Sequence, residues 1–166
     1  MGGSETFASM GGHSFQELLP EKRYFSEHPE YFSFINGAWH GGGNYQICLT
    51  NPQVAHIVAQ NAIAILRKKP NARYISVSQN DNDNFCQCEM CRKAEKEMGR
   101  GNLLYSYVNT VADKIKEEFP NVMIHTYAYE TTVECEPIKL HDNVMLQYCL
   151  RYCRGHTLTD SECRVN

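Results

Sequence analysis

The feature that most restricts the fold of this chain is an alternation. Short apolar segments of strand character are separated by longer stretches whose apolar residues recur at helical spacing. Asn51 caps a helix whose first position is Pro52, where a missing N–H costs nothing. Val54, Ile57, Val58, Ala62, Ile65 and Leu66 then mark one buried face, and "KKPNA" ends it. "RYISVSQ" reads as the next strand. A charged helix follows from about Gln87 to Met98 and stops at Gly99. Another begins near Asn102, with Leu104, Tyr107, Val108, Val111 and Ile115 facing inward and Pro120 barring its continuation. "NVMIHTYAY" and "NVMLQYCL" are further strands. Nearer the start, "ETFASMGG" reads as a short strand ending at His13, "FSEHPEYFSFI" as a short helix, "NGAWHGGGN" as a Gly-rich loop and "YQICLT" as a strand. Strands alternating with helices imply right-handed crossovers and a parallel sheet, so the expected class is α/β.

Bulk properties exclude several partners. The 166 residues fit one domain over 1–166, and 42% hydrophobic residues suffice for a core. A net charge of −3 with interspersed signs lacks the basic stripe of a nucleic-acid surface. No segment approaches the ~20 apolar residues of a membrane helix, and no basic amphipathic segment suggests a membrane surface. The opening "MGGSETFASMGGHSF" lacks the basic start and apolar run of a signal peptide. The closing "CRGHTLTDSECRVN" adds no helix or strand, which predicts a piece of a longer protein.

In parallel α/β sheets functional residues collect at the carboxyl ends of the strands. Applied here, that rule gathers His13, Asn80, Asp81, Tyr127, Tyr129, Glu130, Gln147 and Arg151, with Trp39 from the Gly-rich loop. Carboxylates and amides suit sugar hydroxyls, aromatics suit sugar faces, and Arg suits a carboxylate. Each residue also has an ordinary reading. Asp81 could cap the following helix or sit in an Asx-turn. Glu130 could be a solvated loop residue and His13 a turn residue. One of Tyr127 and Tyr129 could be core, and Trp39 could plug a loop.

Eight cysteines lie at 48, 86, 88, 91, 135, 149, 153 and 163. Cys86, Cys88 and Cys91 form C-x-C-x2-C at the start of a helix, where thiols ionise and bind metals more readily. A tetrahedral zinc needs four ligands, and Cys135, Cys149, Cys153 or His156 could supply the fourth. Disulfides with more distant cysteines, or reduced buried thiols, are the rival readings. All three would pin the loop after Asp81.

Taken in order, "GGHSFQELLP", "HPEYFSFINGAW", "QICLTNPQV", "SVSQNDNDNFCQCEMC", "NTVADKIKEEFPNV", "TYAYE" and "DNVMLQYCLRYC" resemble an uncharacterised bacterial domain-of-unknown-function family. That family is grouped with the glycoside-hydrolase barrels, near the alpha-glucuronidases. The resemblance runs from about His13 to Cys163, and "SQND" followed by C-x-C-x2-C is its most specific part. It implies a (β/α)8 TIM-type barrel, a periplasmic or extracellular setting and a glycan ligand. Such a barrel needs about 250 residues, so the chain would be its incomplete middle portion, with N- and C-terminal strands supplied by the rest of the protein. Hydrolysis would use two carboxyl groups and no cofactor. Asp81 and Glu130 are the best-placed pair. His13, Asn80 and Gln147 would hold hydroxyls, and Arg151 a uronic-acid carboxylate. The alternatives are a non-catalytic carbohydrate-binding barrel and a small zinc-bearing interaction module built on Cys86, Cys88 and Cys91.

Overall fold

The computed structural model describes residues 7–9, 11–133 and 137–149. Two short helices, α1 (Phe15–Leu18) and α2 (Glu21–Tyr24), are followed by a 3-10 turn (Pro29–Tyr31) and two short strands, β1 (Ser33–Ile35) and β2 (Ala38–His40). Then come α3 (Pro52–Lys68), β3 (Tyr74–Ser76), α4 (Glu89–Met98), α5 (Arg100–Lys116), β4 (Met123–Ala128), a second 3-10 turn (Glu130–Thr132) and β5 (Val144–Tyr148).

Three strands form a parallel sheet in the order β3-β4-β5, with Ser76 opposite His125 and Tyr127 opposite Gln147. The parallel α/β expectation therefore holds for this sheet, and its carboxyl ends lie on one side. The barrel expectation is corrected. Among the described residues there is one open three-stranded parallel sheet and one two-stranded antiparallel sheet, and nothing closes. Closure needs tilted strands paired all the way round, and two expected contributors do not pair. "ETFASMGG" contributes a single parallel bridge, Phe7 to Tyr74. "YQICLT" contributes a single antiparallel bridge, Ile47 to Phe32. Its neighbours are occupied elsewhere: the Gln46 amide is spent on loop backbone and the Cys48 thiol joins other cysteines.

The core lies between the sheet and two long helices. Val54, Val58, Ala62 and Leu66 of α3 and Leu104, Val108, Val111 and Ile115 of α5 are buried against Ile75, Val77 and Ile124. These are the inward faces that the spacing marks. The Asn51 side chain accepts from the Gln53 N–H at 3.0 Å and caps α3. Gly99 separates α4 from α5 with φ 80°, a conformation glycine adopts without steric cost.

The amino-terminal third differs from expectation. "FSEHPEYFSFI" forms only the 3-10 turn before entering β1, and "NGAWHGGGN" supplies β2. Asn36 and Gly37 both have positive φ, 52° and 82°, and join β1 to β2. A two-residue Asn-Gly hairpin turn needs positive φ at both positions, because only then does its twist match the strands.

Candidate functional site

The first site begins at the end of the loop after β3. Cys88 is the N-cap of α4, and its sulfur accepts from the Cys91 N–H at 3.5 Å. Asp81 is therefore not the cap of that helix. The capping geometry turns both thiols to one side, next to Cys86. The fourth member is Cys48, from the segment before α3: all four sulfurs lie within 4.8 Å of one another. Cys48 Sγ is 3.7 Å from Cys91 Sγ and 3.8 Å from Cys88 Sγ. A tetrahedral zinc with bonds of ~2.3 Å would hold its sulfurs ~3.8 Å apart. A disulfide would need ~2.05 Å, and all five described cysteines are free thiols. The residues present fit a tetrahedral metal centre.

The surroundings suit anionic sulfur. The Phe34 N–H donates to Cys86 Sγ at 3.4 Å, and Thr50 Oγ1 lies 3.2 Å from Cys91 Sγ. Phe34 and Trp39 pack over the cluster with ring centroids 4.8 Å apart. Hydrogen bonds from Cys86 and Cys91 hold the Cys48 thiol down to about 2. The same bonds, with burial and the Cys48 charge, push Cys86 up to about 12 and Cys91 well up. Ionising one thiol thus opposes ionisation of its neighbours, and a bound cation removes that penalty, because coordinated thiols deprotonate. The expected fourth ligands do not fill the position. Cys149 lies at the end of β5, where its N–H donates to the Ala128 carbonyl at 2.9 Å, and Cys135, Cys153 and His156 lie outside the described residues. No local spacing signalled Cys48.

The second site lies at the carboxyl ends of β3 and β4. The turn before α1 is fixed by Ser14 and Phe15, whose N–H groups both donate to the Ser78 carbonyl at 3.1 Å. His13 Nδ1 donates to the Gln79 carbonyl at 2.6 Å. A carbonyl can only accept, so Nδ1 carries the proton and Nε2 is left facing Asp81 Oδ1 at 3.8 Å. The His13 ring also packs on Tyr127 and Tyr129, with centroids 5.1 and 5.9 Å away. Burial pushes the Tyr129 phenol up to about 12, and its contacts with the Asp81 and Glu130 carboxylates act in the same direction. Both carboxylates thus act on the same phenol.

Glu130 has φ 51°. A left-handed conformation costs a non-glycine residue ~1–2 kcal/mol, and such residues concentrate at functional sites. Thr132 fixes the turn: its hydroxyl accepts from the Tyr129 N–H at 3.1 Å and donates to the Tyr129 carbonyl at 2.8 Å.

Of the other expected site residues, Gln147 stays beside Tyr127, whereas Asn80 and Trp39 are engaged elsewhere. Asn80 is 4% exposed and its amide is fully engaged: Nδ2 donates to the Tyr45 carbonyl at 2.7 Å, and Oδ1 accepts from the Gln16 N–H at 3.2 Å. Gln147 Oε1 lies 2.9 Å from His125 Nε2, beside the Tyr127 ring. Trp39 belongs to the cysteine centre, and Arg151 lies outside the described residues. Two contributors were not anticipated. His125 fills the sheet face between Ser76 and Gln147, and burial lowers its pKa. Gln46 grips the loop that carries Asp81. A cavity of about 370 Å³ lies elsewhere, lined by His56, Gln60, Arg67, Lys114 and Glu117. They come from α3, α5 and the residue that follows α5, and none belongs to either cluster, so volume alone does not locate the chemistry.

Fold and site together define a small α/β domain with a four-cysteine centre beside an open cluster of carboxylates, histidine and tyrosines. The chain belongs to the family described as Domain of unknown function (DUF4838), whose model matches residues 2–164. No curated protein and no solved structure matches it. Among the described residues no helix is long and apolar enough to cross a membrane.

Proposed function

We propose that this protein acts on glycans as a glycoside hydrolase, with Asp81 and Glu130 as its carboxyl pair. The observation that carries the reading is the convergence at the strand ends: His13 lies 3.8 Å from Asp81 and packs on Tyr127 and Tyr129, and the Asp81 and Glu130 carboxylates both act on the Tyr129 phenol. Enzymes that cleave glycosidic bonds with two carboxyl groups hold them ~5–9.5 Å apart. One carboxyl protonates the leaving oxygen while the other acts as base or nucleophile. Asp81, beside His13, is assigned the acid; Glu130, held in its strained turn, is the partner. Tyr127 and Tyr129 offer faces for sugar rings. The resemblance of "SQND" and its flanking segments to a group near the alpha-glucuronidases supports a uronic-acid-containing substrate, an extracytoplasmic setting and Arg151 as the carboxylate clamp.

The reading is tested by screening the full-length protein against neutral and uronic-acid oligosaccharides, with Asp81→Asn and Glu130→Gln beside it. Loss of a general acid or base costs ~10²–10⁴ in rate, and both variants are expected to fall in that range. Near-normal turnover in Asp81→Asn would remove the residue from the mechanism. Retained glycan affinity without turnover by the unmutated protein would instead favour a carbohydrate-binding module.

For the cysteine centre, the sulfur spacing favours structural zinc. Four thiolates with no open position stabilise a fold and activate no water. Metal analysis after purification under reducing conditions checks this: one zinc per chain is expected, and none would overturn it.

A further inference from the structure

Two covalently separate links run from the four-cysteine centre to the strand-end carboxylates. The first is Gln46, two residues before Cys48. Its side chain is fully buried and grips the loop that carries Asp81. Nε2 donates to the Asn80 carbonyl at 2.9 Å and the Asn82 carbonyl at 2.7 Å, while Oε1 accepts from the Asn80 N–H at 2.8 Å. Asp81 is thus held from both sides by one amide. The backbone of the same residue donates to the Asn84 carbonyl at 3.1 Å, two positions before Cys86. Segments 46–48 and 80–91 are therefore stitched at one end by this amide and at the other by the four sulfurs.

The second link leaves from α4, whose first turn carries Cys91. Further along that helix Glu95 Oε1 accepts from Arg100 NH2 at 2.6 Å. Arg100 NH1 donates to Thr131 Oγ1 at 3.2 Å, and that hydroxyl donates to Asp83 Oδ1 at 2.8 Å. Thr131 adjoins Glu130, and Asp83 follows Asp81 by two residues. The Arg100 guanidinium also stacks on Phe85, 5.0 Å from its centroid. This chain of contacts sets the Glu130 turn against the Asp81 loop and anchors both to the metal-binding helix.

We propose that metal held by the four cysteines sets the position of the two strand-end carboxylates, with Gln46 and the Glu95–Arg100–Thr131–Asp83 relay as the positioning residues. Asp81 is exposed and His13 half-exposed, and the loop between β3 and α4 has no regular secondary structure of its own. Its geometry must therefore come from what grips it. The centre is closed, so the metal acts through these contacts and touches no substrate. The inference rests on the hydrolase reading only for its consequence in activity; the coupling is measurable without a substrate.

The experiment uses the full chain with Zn²⁺ as the only probe, under reducing conditions. Trp39 is the only tryptophan and packs on the cluster, so its fluorescence follows loading. Ring resonances of His13 and Tyr129 report the carboxylate end. His141, paired with Asp113 at 2.8 Å on α5, reports the rest of the fold. Removing zinc is expected to shift His13 and Tyr129 while His141 holds, and zinc return to restore them. Unchanged His13 and Tyr129 resonances in the metal-free chain would overturn the coupling. Should the metal-free chain unfold, Gln46→Met in zinc-loaded protein decides. One zinc per chain with displaced His13 and Tyr129 resonances supports the proposal, and undisturbed resonances overturn it. If Gln46→Met does not fold, Asp83→Ala, at an exposed position, applies the same criterion to the second link. Where the wild type cleaves a glycan, Gln46→Met is expected to lower kcat at least tenfold with zinc content unchanged. An inactive wild type with shifting resonances would sink the hydrolase reading and leave the coupling standing.

Discussion

The cysteine centre and the strand-end cluster both draw on the loop between β3 and α4 and are built in opposite ways. The centre uses one chemical group four times and is packed under Phe34 and Trp39. The strand-end cluster mixes carboxylates, a histidine and tyrosines, and keeps Asp81 in solvent. A closed set of identical ligands returns its binding energy as folding energy. An open set of unlike groups adds little to stability and leaves atoms free to meet another molecule. One region should therefore govern whether the chain folds, and the other what it does.

The largest effect separating them is expected from Cys48→Ser, which should lose zinc and destabilise the domain by several kcal/mol, because apparent zinc-binding energies at such sites reach ~10–16 kcal/mol. Cys149→Ser is the control, expected to keep its zinc and its melting temperature. Equal behaviour of the two, by metal analysis and calorimetry, would break the assignment of Cys48. Next is Glu130→Gly. A left-handed glycine relieves the strain at φ 51°, so a gain of up to ~1 kcal/mol in urea unfolding is expected, opposed by loss of the contact to Tyr129, with activity abolished. A clear loss of stability would mean that the Glu130 carboxylate holds the turn and is no stored functional strain.

Stability should also depend on pH through His125. Burial lowers its pKa below the ordinary 6.5 in the folded protein. As pH falls through 6.5 the unfolded chain takes up its proton first, so stability present above that pH is lost progressively toward the lower, folded value. His125→Gln should flatten the slope between pH 8 and pH 5.5 in zinc-loaded protein. An unchanged slope would place the acid sensitivity in groups other than His125. The smallest effect is the stability change of Asp81→Asn, expected within ~0.5 kcal/mol for an exposed residue. A large drop would make Asp81 structural and dissolve the contrast between the regions.

Much of the fold was legible because its signals are local. Asn51 and Pro52 start α3, Gly99 parts α4 from α5, and the apolar spacing marks the faces that are buried. The Asn36-Gly37 turn was equally local, but in a stretch read as loop its hairpin signal was outweighed by the glycines around it. The closed barrel was inferred from likeness and strand order, and failed where Gln46 and Cys48 draw "YQICLT" away from the sheet. At the site, the strand-end rule named His13, Asp81, Tyr127 and Tyr129, and the structure places the last three around the His13 ring. The amide of Asn80 is taken up by backbone, and Trp39 packs on the cysteine cluster. Whether a polar side chain is free depends on partners far away in the chain.

By itself the sequence determined where α3 begins and ends, the apolar faces of α3 and α5 and the grouping of Cys86, Cys88 and Cys91, since each follows from residues within a few turns of one another. Only the tertiary structure decided that Cys48 completes the centre and that Gln46 holds Asp81 in place. Those contacts join segments whose approach is set by the packing of α3 and α5 on the sheet. No spacing rule reaches across such a distance, because the geometry exists only once the core has formed.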